Sequence, residues 1–526
     1  MLPRQQKTTP ATIGVLVDNF FWGAVLRSSQ VVIFAAPWIA TGFVIAAIFR
    51  VFLGPERTRR LFAGTGWRGI LSGWLWGMLL PVCSLGVIPI VRELHRSGVK
   101  GGALIAFALT APLFNPLSLL YGLTLSDPVA IITFAGCSLL IVTFVGLLWD
   151  LIFSTDDEAP AAAEVNFPYG IKRIVAVAKT ATQMIYSPSM VFILIGIAGS
   201  VIISLAMPHG SMATMLEREN GLAPLLVAGV SIPIYSTPLL AMSQIGSMFQ
   251  HGNSIGAAFS LLIFGAGVNL GLFACFLRMY TAKQLFGFLG LLLGIGVGLA
   301  YLVSEPLFPE GVEVAGHTHA FDVYTHPFMP TSTELARQTK FEISKHWGNH
   351  EFGGTVILAG MMLLGAIFFL LDKWTKLSSW LTDSSSQSNL DRELPTSIVA
   401  ACSIIGLLAM SVVGCYIYYP AKSQTLAEMR IFNAEAVISA KSGNWEGALK
   451  WIAFQEDLAR RLEIGTFIRS GQLSEFQRTK ARIFREDLER LKHGVEDQSR
   501  RQCDVIAMQV DKSFRRLSKA FKEEGS

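Results

Sequence analysis

Between residues 30 and 419 the chain is a series of long apolar runs separated by short polar stretches, at roughly 30–53, 101–125, 129–149, 188–207, 256–277, 284–304, 354–371 and 396–419. A helix crossing a hydrocarbon core of ~30 Å needs about 20 consecutive apolar residues. The pattern therefore predicts an all-α, polytopic membrane protein. Two further runs, 69–91 and 222–242, are interrupted by prolines. The first long run begins near Val31 and exceeds the length of a signal-peptide core, so it is expected to remain as a span.

The apolar pattern repeats. Leu80-Pro81-Val82-Cys83-Ser84 returns as Ile232-Pro233-Ile234-Tyr235-Ser236, 152 residues later. With an offset two residues larger, the stretch from Gly98 through Ala111-Pro112-Leu113-Phe114-Asn115 is echoed from Gly252 through Gly265-Ala266-Gly267-Val268-Asn269. Each copy reads as a short amphipathic entry helix, a span, a Pro-broken segment, a Gly/Ala-rich span ending near an Asn, and a last span. Such self-similarity decides the architecture before any local feature does.

Charge adds an orientation. The linkers flanking the first broken segment carry Arg50, Arg57, Arg59, Arg60, Arg68, Arg92, Arg96 and Lys100, whereas those of the second carry only Arg218. The turn between the last two spans reverses the bias, with Ser126-Asp127 in one copy and Arg278 and Lys283 in the other. Because basic loops stay cytoplasmic, the copies are expected to be inverted. Each broken segment then enters and leaves on one side, the plan of many secondary transporters.

The broken segments are the candidate pathway. Pro81 and Pro89 in one copy, and Pro233 and Pro238 in the other, interrupt apolar sequence. A proline removes a backbone donor and frees a carbonyl. Irregular backbone at membrane depth survives only inside protein or along a polar cavity. Cys83 and Ser84 face the counterparts Tyr235 and Ser236 in the alignment, and Asn115 (just after Pro112) and Asn269 supply amides in apolar surroundings. A buried amide without partners costs a few kcal/mol, so these groups are expected to meet one another, the broken backbone or a substrate. Packing of membrane helices by small polar residues is the competing explanation.

Composition narrows the classes. Only 15% of residues are charged, against roughly 25% in a soluble domain, and 20 basic and 16 acidic side chains fall within 420–526. The net charge of +5 fits loops and a tail facing anionic lipid rather than nucleic acid. The six cysteines form no Cys-x-x-Cys pair, so neither a disulfide framework nor a redox motif is expected. No phosphate loop, His-Glu-x-x-His pair or Gly-x-Ser-x-Gly elbow occurs. An enzyme is not expected, and no cofactor is implied.

The stretch Pro81-Val-Cys-Ser-Leu-Gly-Val-Ile-Pro89, the Leu94-His-Arg-Ser-Gly98 that follows, and Ala111-Pro112-Leu-Phe-Asn115-Pro116 resemble the predicted-permease family that includes the ArsP-type organoarsenical exporters. The resemblance covers roughly residues 12–304. It implies export of toxic metalloids or heavy-metal ions across the bacterial inner membrane without an ATPase subunit. Members commonly carry a second cysteine two positions after the first. Here that position is Leu85, and a single thiol, Cys83, does not chelate a soft ion alone.

The remaining chain divides at composition changes. The expected layout is an N-terminal segment with its entry helix (1–29), a first membrane repeat (30–150), a linker with an amphipathic helix (151–187), a second repeat (188–304), a His-containing extramembrane loop (305–353), two further transmembrane helices (354–419) and a helical extramembrane domain (420–526). In the loop, His317, His319 and His326 are candidate Zn²⁺ or Cu²⁺ ligands. Asn433 through Trp451 resembles one tetratricopeptide-like hairpin with a Gly-Asn turn. The domain could bind a protein partner or self-associate. The expectation is a multi-pass permease exporting a small inorganic or organometallic substrate, in contact with membrane lipid. The rival is a membrane-anchored receptor or scaffold acting through 305–353 and 420–526.

Overall fold

The computed structural model describes residues 10–62, 66–153, 171–208, 211–309, 320–328, 334–345, 349–375 and 396–522. Among them there is helix and turn but no strand, as the apolar periodicity requires. The chain forms two compact units, the first made mostly of residues up to 409 and the second mostly of residues 410–526.

In the first unit, α1 (Pro10–Ala47) runs into a π turn, Ile48–Leu53, and then α2 (Gly54–Leu61). The expected separate entry helix and first span are thus one continuous helix. The polar residues Asn19, Arg27 and Gln30 are buried along its inner face, so nothing ends the helix between them. Next come α3 (Trp67–Leu79), α4 (Val87–Arg96), α5 (Gly101–Leu113), α6 (Pro116–Leu125) and α7 (Pro128–Phe153). The second series is α8 (Ile171–Met184), α9 (Pro188–Ala206), the single turn α10 (Met212–Met215), α11 (Ala223–Ser231), α12 (Pro238–Gln250), α13 (Ile255–Ser260) with its π turn Leu261–Ala266, α14 (Leu270–Met279) and α15 (Ala282–Ser304). Then follow α16 (Leu335–Lys345), α17 (Asn349–Thr375) and α18 (Thr396–Tyr418).

Among the described residues, five helices are long and apolar enough to cross a membrane, and two bent pairs, α5–α6 and α13–α14, raise the number to seven. Their outward faces say the same. α7 buries Ile131, Phe134 and Val145 but exposes Ile132, Leu140, Phe144 and Leu151. Apolar surface on that scale needs lipid rather than water. The chain is an all-α, multi-pass membrane protein.

The repeat is visible in matched details. Gly98 and Gly252, 154 residues apart, both adopt positive φ (79° and 64°), which favours glycine. The start of α5 is met by the end of α7 through a hydrogen bond from Gly102 N to Asp150 Oδ1 (2.8 Å). The start of α13 is met by the end of α15 through one from Gly256 N to Ser304 Oγ (3.3 Å). α5 and the α13 segment are buried along their whole lengths, flanked by α3 and α7 in one copy and by α11 and α15 in the other.

α3 and α5 run in the same direction. Gly73 lies against Ala103 and Ala106, and Gly77 against Thr110 and Ala111. The chain must therefore double back through α4, making α3 and α4 a hairpin. The second copy does the same, with Gly256 beside Pro224 and Gly265 beside Ser231. α12 is its returning limb.

The second unit is a four-helix bundle of α19 (Lys422–Ser442), α20 (Trp445–Ser470), α21 (Glu475–Glu496) and α22 (Arg500–Lys522). The Gly-Asn turn forms as the sequence suggests. Gly443 closes α19 with φ 78°, and Asn444 caps α20 by accepting from Gly447 N (3.1 Å). α22 packs back on α19, which closes the ring. A tetratricopeptide array would stack onward instead. Phe484, wholly buried among Leu488, Phe514 and Leu517, sits in the bundle core. Phe484→Ala is expected to destabilise the bundle by about 3–5 kcal/mol, read as faster amide exchange confined to α19–α22.

Candidate permeation site

Each copy is broken at two places, one more than the prolines announce. The first break is the hairpin tip. α3 stops at Leu79, Leu80 is extended (ψ 122°) as a residue before proline must be, and Pro81 begins the unwound stretch. The tip is held by a bond from Val82 N to the Leu80 carbonyl (2.9 Å) and one from Gly86 N to Cys83 Sγ (3.3 Å). Pro89 sits in the first turn of α4, where a missing donor costs nothing. In the second copy Pro233 lies in the unwound stretch and Pro238 opens α12, whose N-terminus is capped by Thr237 accepting from Leu240 N (3.1 Å). Ser236 N donates to the Gly265 carbonyl (3.1 Å), which belongs to the π turn following α13.

The second break is at the asparagines. α5 and α6 bend by 49° across Phe114-Asn115, with Pro112 in the last turn before it, and α13 and α14 bend by 52° before Leu270. Each Asn caps the outgoing half-helix. Asn115 Oδ1 accepts from Ser118 N (2.8 Å), and Asn269 Oδ1 from Leu272 N (3.0 Å). Those bonds fix which end of each amide is oxygen. Both Nδ2 groups are then buried without a hydrogen-bond partner. Sequence reasoning read 101–125 and 256–277 as continuous spans. The signals for the bends were Pro112 with Pro116 around Asn115, and Gly265 with Gly267 before Asn269.

The sequence-derived residues fall in the buried interior of the first unit. Cys83, Ser84, Asn115, Tyr235, Ser236 and Asn269 are each 2% exposed or less. The Cys83 thiol and the Tyr235 hydroxyl face each other across the two hairpin tips, yet the hydroxyl lacks a hydrogen bond of good geometry, as does that of Ser84. Leu85, the position after Ser84, meets Asn269 at Gly196, where a β-carbon would stand 2.5 Å from one and 2.8 Å from the other. Leu113, two before Asn115, packs at Gly267, two before Asn269. Ser236 Oγ approaches Gln244 Oε1 (3.4 Å), which also receives the Tyr324 hydroxyl (3.4 Å).

Glycine contacts lock the tips in place. A β-carbon on Gly42 of α1 would collide with the Gly86 carbonyl, and one on Gly86 with the Trp38 carbonyl. In the second copy a β-carbon on Gly199 of α9 would stand 3.1 Å from the Pro233 carbonyl. Behind the first tip, Arg50 on the π turn reaches Glu93 Oε2 on α4 through Nε (2.9 Å) and Nη2 (2.7 Å), and the carboxylate side chain is 5% exposed. Arg50→Met leaves that carboxylate buried and alone, so it should cost about 3 kcal/mol, the lower end for a buried pair because the arginine is a third exposed. Arg50→Met with Glu93→Leu should recover most of the loss, measured by thermal unfolding in detergent.

A segment of the His-containing loop packs into the first unit. Ala320, Phe321, Tyr324, Thr325 and Phe328 are buried. His326 N donates to the Met207 carbonyl (2.7 Å), and its ring lies against Phe20 with Nδ1 2.9 Å from the Phe328 carbonyl. Burial pushes the Tyr324 phenol up to about 12, so its hydroxyl stays a proton donor at neutral pH. His317 and His319 lie outside the described residues, and no group of three metal-ligating side chains occurs among the described ones. Arg27, read from the sequence as part of the entry helix, and Gln30, at the start of the first repeat, were missed as site residues; they line a cavity of about 10 Å³ with Ser200, Tyr235, Thr237 and Tyr324.

The family model described as a predicted permease, of ArsP type, matches residues 24–305, which spans both copies. The UPF0718 protein YcgR of Bacillus subtilis is 38% identical over 90 residues, 17% of this chain and 31% of its own length. A Streptococcus mutans protein named as a two-component membrane permease complex subunit is 30% identical over 90 residues, 17% of this chain and 30% of its own. The chain thus matches less than a third of each curated relative. No solved structure matches it.

Proposed function

Since the chain belongs to the ArsP-type predicted-permease family, we propose that it is a secondary exporter of a small toxic species, a metal ion or an (organo)metalloid, in the bacterial inner membrane. The observation that carries this reading is the duplicated pair of breaks, each leaving a buried amide donor, Asn115 Nδ2 or Asn269 Nδ2, with no partner in the protein. Helix packing alone would not strand the same donor twice, because an unmade buried bond costs about 1–3 kcal/mol. A passing ligand would complete both. Inverted copies are supported by the meeting of the α5 and α13 segments at their C-terminal ends, Leu113 against Gly267. In this reading Cys83, Ser84 and Asn115 line one side of the path and Tyr235, Ser236 and Asn269 the other. The two hairpins rock against each other about that centre.

The substrate is identified by accumulation. Metal-sensitive bacteria expressing the chain would be challenged with zinc, copper, arsenite and a methylated arsenical. Export predicts lower cell content of one of them, with the effect lost in Asn115→Ala and Asn269→Ala at equal membrane levels. Unchanged content of every species would sink the exporter reading.

A partner-binding role for the bundle has its own support. A cleft of about 710 Å³ between α19 and α22 is lined by Arg430, Lys519, Lys522 and an Arg515–Asp511 ion pair around Val437 and Phe514. The net positive lining about an apolar floor suits an acidic protein segment. Deleting 420–526 is expected to remove a co-purifying partner while leaving export in place. Loss of export on that deletion would favour the receptor or scaffold reading.

A further inference from the structure

Arg27 is a cation on a helix within the apolar unit, 6% exposed. Ionisable groups at such positions are costly and mark functional sites by default. Its guanidinium donates to backbone carbonyls of the inserted segment. Nη2 donates to the carbonyls of Asp322 (2.6 Å) and Thr325 (2.5 Å), and Nε donates to that of Thr325 (3.1 Å). Nη1 donates to Gln30 Oε1 (2.8 Å). The inserted segment lies beyond residue 305, where the family match ends. What fills the space beside Arg27 therefore lies outside the matched residues.

The walls of that space are mixed, with Ser200, Tyr235, Thr237 and Tyr324 beside apolar side chains such as Phe34 and Leu240. The Tyr235 hydroxyl, which faces the Cys83 thiol, is buried without a hydrogen bond of good geometry. With the segment in place only about 10 Å³ is left, room for roughly one water. Nothing larger enters unless the segment withdraws, and the Asp322 carboxylate travels with it. An exposed guanidinium fork then matches an oxyanion or carboxylate through paired bonds.

We propose that Arg27 binds the anionic group of the transported molecule, and that the 320–328 segment occupies the same place as a plug when no substrate is bound. The proposal rests on the permease reading and adds a substrate class to it, a small anion with two or more acceptor oxygens. The carbonyls of Asp322 and Thr325 stand in for the ligand's oxygens.

The test is thermal unfolding of the full chain in detergent, titrated with sulfate, phosphate or methylarsonate, with dimethyl sulfone as a neutral control shaped like sulfate. At least one anion is expected to raise the unfolding temperature. Its affinity should fall at least tenfold in Arg27→Gln and only a few-fold in Arg27→Lys. Phe321→Ala, which loosens the plug from outside the pocket, should tighten binding about tenfold. Failure of all three anions to bind, equal affinity in Arg27→Gln, or equal stabilisation by dimethyl sulfone overturns the proposal. If Arg27→Gln does not fold, Phe321→Ala decides alone, and unchanged affinity there overturns it. Flux of the same probes and of arsenite into proteoliposomes separates the two readings. Anion binding without any flux contradicts the permease and leaves the site, whereas flux of arsenite with no anion binding contradicts the site and leaves the permease.

Discussion

Gly86→Val is expected to abolish transport and to leave little folded protein in the membrane. The first hairpin tip and α1 approach until the Gly42 and Gly86 positions each face the other helix's backbone, Gly86 carbonyl on one side and Trp38 carbonyl on the other. A carbonyl in a packed helix cannot give way as a flexible side-chain end does, so even one methyl forces the tip off α1. Overpacking of a core commonly costs about 1–3 kcal/mol. Here the obstacle is backbone on both sides, and the loss should exceed that range. Gly290→Ala is the control, because a β-carbon there meets nothing within 4 Å. Yield of monodisperse protein and its unfolding temperature are the readouts. Normal yield and stability for Gly86→Val would show that the tip is not locked as described.

Asn115→Leu and Asn269→Leu should each cut transport by tenfold or more while removing only about 0.5–2 kcal/mol of stability, the worth of a helix N-cap. The Asn Oδ1 does the structural work of capping, with bonds of 2.8 and 3.0 Å, and the Nδ2 does none in the resting protein. Ser at either position keeps an N-cap oxygen, lacks the amide donor and adds no charge. The Ser variants should therefore fold like the parent and still transport poorly. Equal transport by parent and Ser variants would assign the asparagines to capping alone.

Much of this was legible in the sequence because it rests on backbone chemistry. The span pattern, the 152–154-residue offsets and the hairpin prolines all report where a helix cannot continue, and Gly98 and Gly252 recur because both turns need positive φ. The asparagine bends were half legible. Pro112 and Pro116 flank one, but the other has only glycines, and a capping role for Asn depends on where the helix has already broken. Contacts between distant helices were not legible at all. Gly42 against Gly86 depends on the path of α1, and no local rule distinguishes Arg27 on an interfacial helix from Arg27 buried beneath a returning loop. The 320–328 segment misled for the same reason. Its histidine and acidic residue suggested a solvated loop, yet Phe321, Tyr324 and Phe328 supply the apolar surface that drives it inward.

Flux through the purified chain is the most direct measurement. Proteoliposomes containing the parent protein, Asn115→Ser or Asn269→Ser would be loaded with the species that lowers accumulation in cells, and its release followed over time. Release by the parent well above empty liposomes, with both variants near the empty rate despite normal unfolding temperatures, is the predicted result. Equal release by all three proteins would contradict a pathway through the paired breaks.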